Sequence, residues 1–148
     1  MAPTDERGKP ERTLMLVDDE PDILGFMEMA LREEGYSVVS VTSAIDALKA
    51  IDGKRPDLIL LDAKMPVMDG REFLAVLRER KGIQVPVVLM TAARMAPAEA
   101  ARLGAQGFLA KPFDLDDLLA CVAQFLPRNS QDGQARRDGQ DEGADLTP

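Results

Sequence analysis

Histidine is absent from all 148 residues, tryptophan is absent too, and there is a single cysteine. Without histidine this chain has no Ser-His-Asp triad, no histidine-ligated zinc and no histidine to phosphorylate. Acid–base and metal chemistry then falls to carboxylates, hydroxyls and lysines. Cys121 has no partner for an internal disulfide, which suits a reducing compartment. Aromatics are only 4% of the chain, so aliphatic side chains must fill the core. No apolar run approaches the roughly 20 residues of a membrane helix. The start, Met1-Ala2-Pro3-Thr4-Asp5-Glu6-Arg7, lacks the apolar stretch of a signal peptide. Basic charge is also short: 18 Lys and Arg face 26 Asp and Glu, a net charge of −8. Nucleic-acid surfaces need clustered Lys and Arg, so that balance disfavours direct nucleic-acid binding. The expectation is a cytoplasmic protein with no membrane segment.

What is present is a central domain between polar ends. Residues 1–12 hold three acids and three bases, and residues 128–148 are rich in Gln, Gly, Asp and Arg, with Leu146 the one large aliphatic. Neither end buries enough apolar surface to offset its ordering entropy. Both are expected to be disordered tails around one domain at 13–127, which is long enough for a real core.

Within that domain, strand-like and helix-like segments alternate. Thr13-Leu14-Met15-Leu16-Val17 is an apolar run of strand length. Pro21 then sits where a first helical turn tolerates proline, Ile23, Met27, Ala30 and Leu31 recur at helical spacing, and Gly35 suits the helix end. Ser37 to Val41 alternates like a strand with one wetter face. Ser43 is the expected cap of a helix carrying Ala44, Ala47, Leu48 and Ile51 and closed by Gly53. Leu58 to Leu61 predicts the third strand. Gly70 to Arg80 predicts a helix burying Phe73, Leu74 and Leu77, and Val85 to Met90 the fourth strand. Pro97 to Leu103 is an alanine-rich helix, counting Ala96 at its approach, and Gly107 to Ala110 the fifth strand. Asp114 caps a last helix with Leu115, Leu118, Leu119, Val122 and Phe125 on its apolar face. Continuous apolar runs at strands one, three and four are those of a parallel sheet covered on both faces. The fold class is therefore α/β, a doubly wound five-stranded parallel sheet with five helices. Such sheets carry their sites beyond the carboxyl ends of the strands.

Four of those ends carry reactive residues: Asp18-Asp19-Glu20 after the first strand, Asp62 after the third, Thr91 after the fourth and Lys111 after the fifth. Asp18, Asp19 and Asp62 repel one another unless a cation intervenes. Mg²⁺ binds through one or two carboxylates plus water and phosphate oxygens. With the Lys111 ammonium and one dication, the three carboxylates sum to zero formal charge. An incoming phosphoryl group would meet aligned cations, which is most of what its transfer requires. A carboxylate can act as the nucleophile and form an acyl phosphate.

The matching stretches are Leu16-Val17-Asp18-Asp19-Glu20, Leu60-Leu61-Asp62-Ala63-Lys64-Met65-Pro66-Val67-Met68-Asp69-Gly70, Met90-Thr91-Ala92 and Phe108-Leu109-Ala110-Lys111-Pro112-Phe113. With these four in order over about residues 13–127, the chain resembles the receiver domain of two-component response regulators, of the stand-alone chemotaxis-regulator kind. The resemblance implies a flavodoxin-like strand order of 2-1-3-4-5. It implies Asp62 as phospho-acceptor and Mg²⁺ or Mn²⁺ held by Asp19 directly, by Asp18 through water, by Asp62 and by the Lys64 carbonyl. Thr91 would hydrogen-bond the phosphoryl group, Lys111 would pair with Asp62 and then the phosphate, and the Lys111–Pro112 bond would be cis. Phe108 stands at the switch aromatic and lacks a tyrosine hydroxyl. Lys64 and Ala93 occupy positions that tune phosphate lifetime in that family.

Taken singly, each of these residues has an ordinary reading. Asp18 or Asp19 can cap a helix, Asp62 can open an Asx-turn, Thr91 can satisfy strand-end backbone, and Lys111 can be solvated. Their convergence on one rim favours a site. Asp69-Gly70 is expected to be a turn into the third helix, Cys121 an inert thiol, Met15, Met27, Met65 and Met90 packing residues, and Arg94 and Arg102 solvated. The implied function is a single-domain regulator. A histidine kinase or histidine phosphotransfer protein would phosphorylate it, and it would switch a downstream protein partner, or a phosphorylation-dependent homodimer, through its fourth helix, fifth strand and fifth helix. No output domain follows the last helix in this sequence, which puts output on another chain unless the chain is an excised receiver. The alternative is a phosphorelay carrier or phosphate sink. A turnover enzyme is not expected: a haloacid-dehalogenase-type phosphatase needs Asp-x-Asp after the first strand, where Asp18-Asp19-Glu20-Pro21 stands. A nucleotide site would need a glycine-rich loop there.

Overall fold

The computed structural model describes residues 12–92 and 97–126. The two expected tails, apart from Arg12, lie outside the described residues, as do Ala93, Arg94, Ala96 and Pro127. The elements run β1 (Thr13–Val17), α1 (Pro21–Glu33), β2 (Ser37–Val41), α2 (Ala44–Gly53), β3 (Leu58–Asp62), α3 (Gly70–Ala75) with a π-helical continuation (Val76–Arg80), β4 (Val87–Thr91), α4 (Pro97–Leu103), β5 (Gly107–Ala110) and α5 (Leu115–Phe125). The sheet is parallel throughout, in the order β2-β1-β3-β4-β5. No described helix is long and apolar enough to cross a membrane.

Strand side chains alternate between faces, and the two faces make two cores. Met15, Val17, Ile59, Leu61, Val87 and Leu89 pack with residues of α2, α3 and α4, among them Ala47, Phe73, Leu77 and Ala100. Leu14, Leu16, Leu58, Leu60, Val88 and Met90 pack with α1 and α5 through Leu24, Met27, Leu31, Leu118 and Val122. This is the doubly wound arrangement expected, with β2 the wetter edge: Val39 is 37% exposed.

Local chemistry sets the element ends. The Ser43 hydroxyl accepts from the Asp46 N–H at 3.1 Å. Asp69 and Asp114 each form a capping box, with Glu72 and Asp117 respectively. Asp69-Gly70, expected as a turn into the third helix, forms the N-cap and first residue of that helix. Gly35, at φ +98°, lets the chain leave α1 for β2.

The structure corrects several expected boundaries. β3 extends to Asp62, which pairs with Met90. β4 starts at Val87, two residues later than Val85, because Pro86 has no N–H for the ladder; its carbonyl accepts from the Ile59 N–H at 3.0 Å. The third helix is not α-helical to Arg80: the Lys81 N–H reaches back five residues to the Val76 carbonyl at 3.0 Å. Leu115 is 43% exposed and not part of the apolar face. It lies in the first turn of α5, before the Leu118–Val122 stripe meets the sheet.

Gly70 holds α3 against the end of β3. A Cβ there would lie 2.8 Å from the Asp62 carbonyl oxygen and 3.0 Å from the Ala63 Cα. Both are backbone atoms and cannot swing aside. Gly70→Ala is expected to cost about 1–3 kcal/mol by overpacking, read as a lower urea midpoint at unchanged m.

Candidate functional site

β1 and β3 are central neighbours, so their carboxyl ends emerge side by side. Asp18 follows β1 and is fully buried, and Asp62 ends β3 at 6% exposure. Asp18 does not cap α1, whose N-cap, Glu20, makes no side-chain cap bond. The Asp18 Oδ1 instead accepts from the Glu20 N–H at 2.9 Å. Its Oδ2 accepts from the Lys111 Nζ at 3.0 Å. Lys111 also lies 3.4 Å from Asp62 Oδ1 and 3.7 Å from Glu20 Oε1. The expected Lys111–Asp62 pair is therefore present, but the shorter bond goes to Asp18. Sequence reading missed that link, and also the approach of the Glu20 carboxylate. A Lys111–Pro112 peptide in cis, as expected, turns the chain beyond β5.

Asp62 Oδ1 also accepts from the Lys64 N–H at 3.3 Å. Burial raises the Asp62 carboxyl above its ordinary range, and the charge of Asp18 adds to that; the Lys64 N–H and the Lys111 ammonium pull the other way without cancelling it. Burial alone would lower the Lys111 ammonium. The Asp18 hydrogen bond and the charges of Asp18 and Asp62 outweigh it and hold the ammonium raised, hence charged at neutral pH.

Asp18, Asp19 and Asp62 each offer a carboxylate oxygen, and these oxygens lie within 4.8 Å of one another. Two of the three residues are buried and Asp19 is exposed. Lys64 borders the same open cavity of about 530 Å³, with Asp19, Glu20, Asp62, Ala63, Met90, Thr91, Ala92 and Lys111. An all-oxygen, carboxylate-rich donor set fits a hard dication such as Mg²⁺ and not a soft metal. Thr91 is buried at the end of β4, and its carbonyl accepts from the Lys111 N–H at 2.9 Å. Phe108 does not reach this cavity. It is half-buried and borders a second one, of about 500 Å³, between α4 and α5.

Cys121 also lines that second cavity, and burial pushes its thiol up to about 11. It is thus a poor nucleophile near neutrality. Met15, Met27, Met65 and Met90 are buried, as expected of packing residues, although Met90 also borders the acidic cavity. Arg102 is exposed.

The raised Asp62 carboxyl has a consequence for stability. Between the ordinary carboxylate pKa and the raised folded value, the native state holds more proton than the unfolded chain, so stability falls as pH rises through that window. Asp62→Asn removes this cost. In metal-free buffer at pH 7 it is expected to raise Tm by a few degrees, a gain that vanishes below about pH 4. Added Mg²⁺ is expected to stabilise the parent chain and to have much less effect on Asp62→Asn. Thermal melts across pH, with and without Mg²⁺, check both.

The family model of the response regulator receiver domain matches residues 14–123. Over 125 residues the chain is 35% identical to the transcriptional regulatory protein PrrA of Mycobacterium tuberculosis, covering 83% of this chain and 53% of that protein. Over 121 residues it is 36% identical to sporulation initiation phosphotransferase F of Bacillus subtilis, covering 79% and 95%. The chain thus spans about half the length of PrrA but nearly all of the Bacillus protein. Chemotaxis protein CheY4 of Vibrio cholerae superposes with a TM-score of 0.73 at 29% identity, covering 78% of this chain and 99% of that one. The receiver domain of sensor histidine kinase PA1611 from Pseudomonas aeruginosa, solved with a magnesium ion coordinated in its active site cleft, gives 0.69 at 30% identity, covering 78% and 97%. A parallel sheet in this order, an acidic rim at its carboxyl end and a family match from residue 14 to residue 123 lead to one assignment: the chain belongs to the response regulator receiver domain family of two-component signalling.

Proposed function

We propose that this receiver accepts a phosphoryl group on Asp62 from a phosphohistidine of a kinase or phosphotransfer protein, and that the acyl phosphate is read out through the surface of α4, β5 and α5. The observation that carries this is the placement of Asp62: a buried carboxylate between Asp18 and Lys111, opening onto the one cavity that also holds Asp19, Lys64 and Thr91. An Asp62 carboxylate oxygen would bond to phosphorus as the P–N bond of the phosphohistidine breaks, and the leaving imidazole nitrogen would keep the bond's electron pair. Burial makes Asp62 more basic than an ordinary carboxylate, and so a better nucleophile once ionised. Asp18, Asp19, Asp62 and the Lys64 carbonyl would hold a divalent cation, which when bound draws negative charge from the phosphoryl oxygens. Lys111 would move its ammonium from the two aspartates toward the phosphate, and the Thr91 hydroxyl would donate to a phosphoryl oxygen.

Phosphate adds about 1.5 to 2 negative charges beside Lys111 and Thr91. The readout would begin with a shift of Thr91, the last residue of β4, and pass to Phe108 on the neighbouring strand. The cavity flanked by Ala100, Ala101, Ala105, Gly107, Cys121 and Phe125 gives Phe108 room to repack. The partner would be a protein, or a second copy of this chain, bound at that surface. Turnover of free phosphate esters is not part of this function; slow loss of the chain's own phosphate is. The similarity to sporulation initiation phosphotransferase F over nearly all of that protein's length favours a second reading, a phosphorelay carrier with no output surface.

Incubation with acetyl phosphate and Mg²⁺, followed by intact mass, is expected to show the gain of one phosphoryl group, stable to acid and labile to base. Asp62→Asn or chelation of the metal is expected to abolish it. A gain of equal size in Asp62→Asn would sink the assignment. Thr91→Ala is expected to keep the mass gain and to lose the accompanying change in backbone chemical shifts of α4 and β5. A parent chain that gains phosphate with no such change would instead be the carrier.

A further inference from the structure

α4 is tied to α3 at two places, and the two ties differ. At the end of α4 nearer the acidic rim, Arg71 lies 3.7 Å from Glu99, with side chains 60% and 41% exposed. Such a pair contributes little, because water screens it. At the opposite end, beyond Leu103, the half-buried Arg78 guanidinium makes four hydrogen bonds. Its Nε and one terminal nitrogen donate to the Gly104 carbonyl at 3.1 and 2.8 Å. The other terminal nitrogen donates to the Ile83 carbonyl at 2.7 Å, and the first reaches the Gln106 Oε1 at 3.0 Å. Gln106 Oε1 also accepts from the Val87 N–H at 2.8 Å, and the Gln106 N–H donates to the Val87 carbonyl at 2.8 Å.

Among the described residues no carboxylate pairs with Arg78, and burial lowers its pKa. A guanidinium spent wholly on neutral acceptors is a fastening. It joins the π-helical turn, the loop after it and the turn between α4 and β5, and Gln106 carries the link on to the start of β4. Only the planar fork of arginine can serve these three acceptors at once. The turn it grips is itself constrained: Gly104 has φ +91°, and a Cβ there would lie 3.2 Å from the Arg78 Cγ. In a parallel α/β unit each helix runs antiparallel to the strands. The gripped end of α4 is therefore at the amino edge of the sheet, far from Asp62, and its first turn is the end near the rim.

We propose that Arg78 is a positioning residue that makes the C-terminal end of α4 a fixed pivot, so that when the receiver switches, the rim end of α4 moves and the Gly104 end does not. The switching half of this inference rests on the function proposed above. The pivot itself does not.

Amide hydrogen exchange on the full chain tests it, with and without acetyl phosphate and Mg²⁺. In the parent, phosphorylation is expected to speed exchange at the Ala101 and Arg102 amides while the Gln106 amide, bonded to the Val87 carbonyl, stays protected. In Arg78→Lys the Ala105 and Gln106 amides are expected to exchange about ten-fold faster even without the donor, with β1 and β3 amides unchanged. Phosphorylation should then loosen the whole of 99–106. Gly104→Ala, which crowds the same side chain by a different route, is expected to do likewise, whereas Glu99→Gln should leave Ala105 and Gln106 protected. Unchanged exchange at Ala105 and Gln106 in both Arg78→Lys and Gly104→Ala overturns the proposal. So does uniform acceleration of the core amides in both, and so does a phosphorylated parent that loosens equally at both ends of α4. Absence of any phosphoryl gain by mass would refute the function of the site and leave the donor-free comparison as the judgement on the pivot.

Discussion

Two buried carboxylates held side by side by one ammonium are the constraint on which the rest of this molecule turns. Asp18 and Asp62 sit at the ends of adjacent strands with almost no access to water. Left alone, such a pair would drive one member to take up a proton. Lys111, 3.0 Å from one and 3.4 Å from the other, makes the arrangement tolerable, and it too is raised by the bargain. One positive charge still faces two buried negative charges and the nearby Asp19. That surplus of negative charge is what a divalent cation could offset, and burial above all keeps Asp62 basic.

The scaffold serves that geometry. A slip of one residue in β1 or β3 would exchange its two core faces and turn Asp18 or Asp62 away from the rim. Gly70 lets α3 press against the Asp62 backbone, with Asp69 closing the helix start. Capping chemistry is met by Ser43, Asp69 and Asp114, none of which belongs to the acidic cluster, and the acids after β1 stay available for the site. The amino edge of the sheet is treated differently. There Arg78 hydrogen-bonds three segments together.

Within the family the chain sits between two kinds of relative. It matches half of longer proteins named as transcriptional regulators and nearly the whole of a short phosphotransferase. Receiver chemistry is common to both. What differs is how much of each relative's length the receiver accounts for.

Much of this was legible in the order of residues, for definite reasons. A strand buried on both faces must be aliphatic throughout, so Leu58 to Leu61 announced itself. Acids and a lysine placed after successive strands of a parallel sheet have one rim to share, so Asp18, Asp19, Asp62, Thr91 and Lys111 could be grouped unseen. Ser43 and Asp114 were readable as caps because capping is a local bond over three residues. Only the folded chain decided that Lys111 bonds Asp18 more closely than Asp62, a choice made by ångström differences between residues 93 positions apart. It alone decided that the helix after Ala75 widens to a π turn and that Arg78, one of three bases in a short run, turns inward to carbonyls 5 and 26 residues away. Local periodicity reports which face of an element is buried. It carries no record of which distant partner a long side chain meets there, because that is set by how whole elements pack.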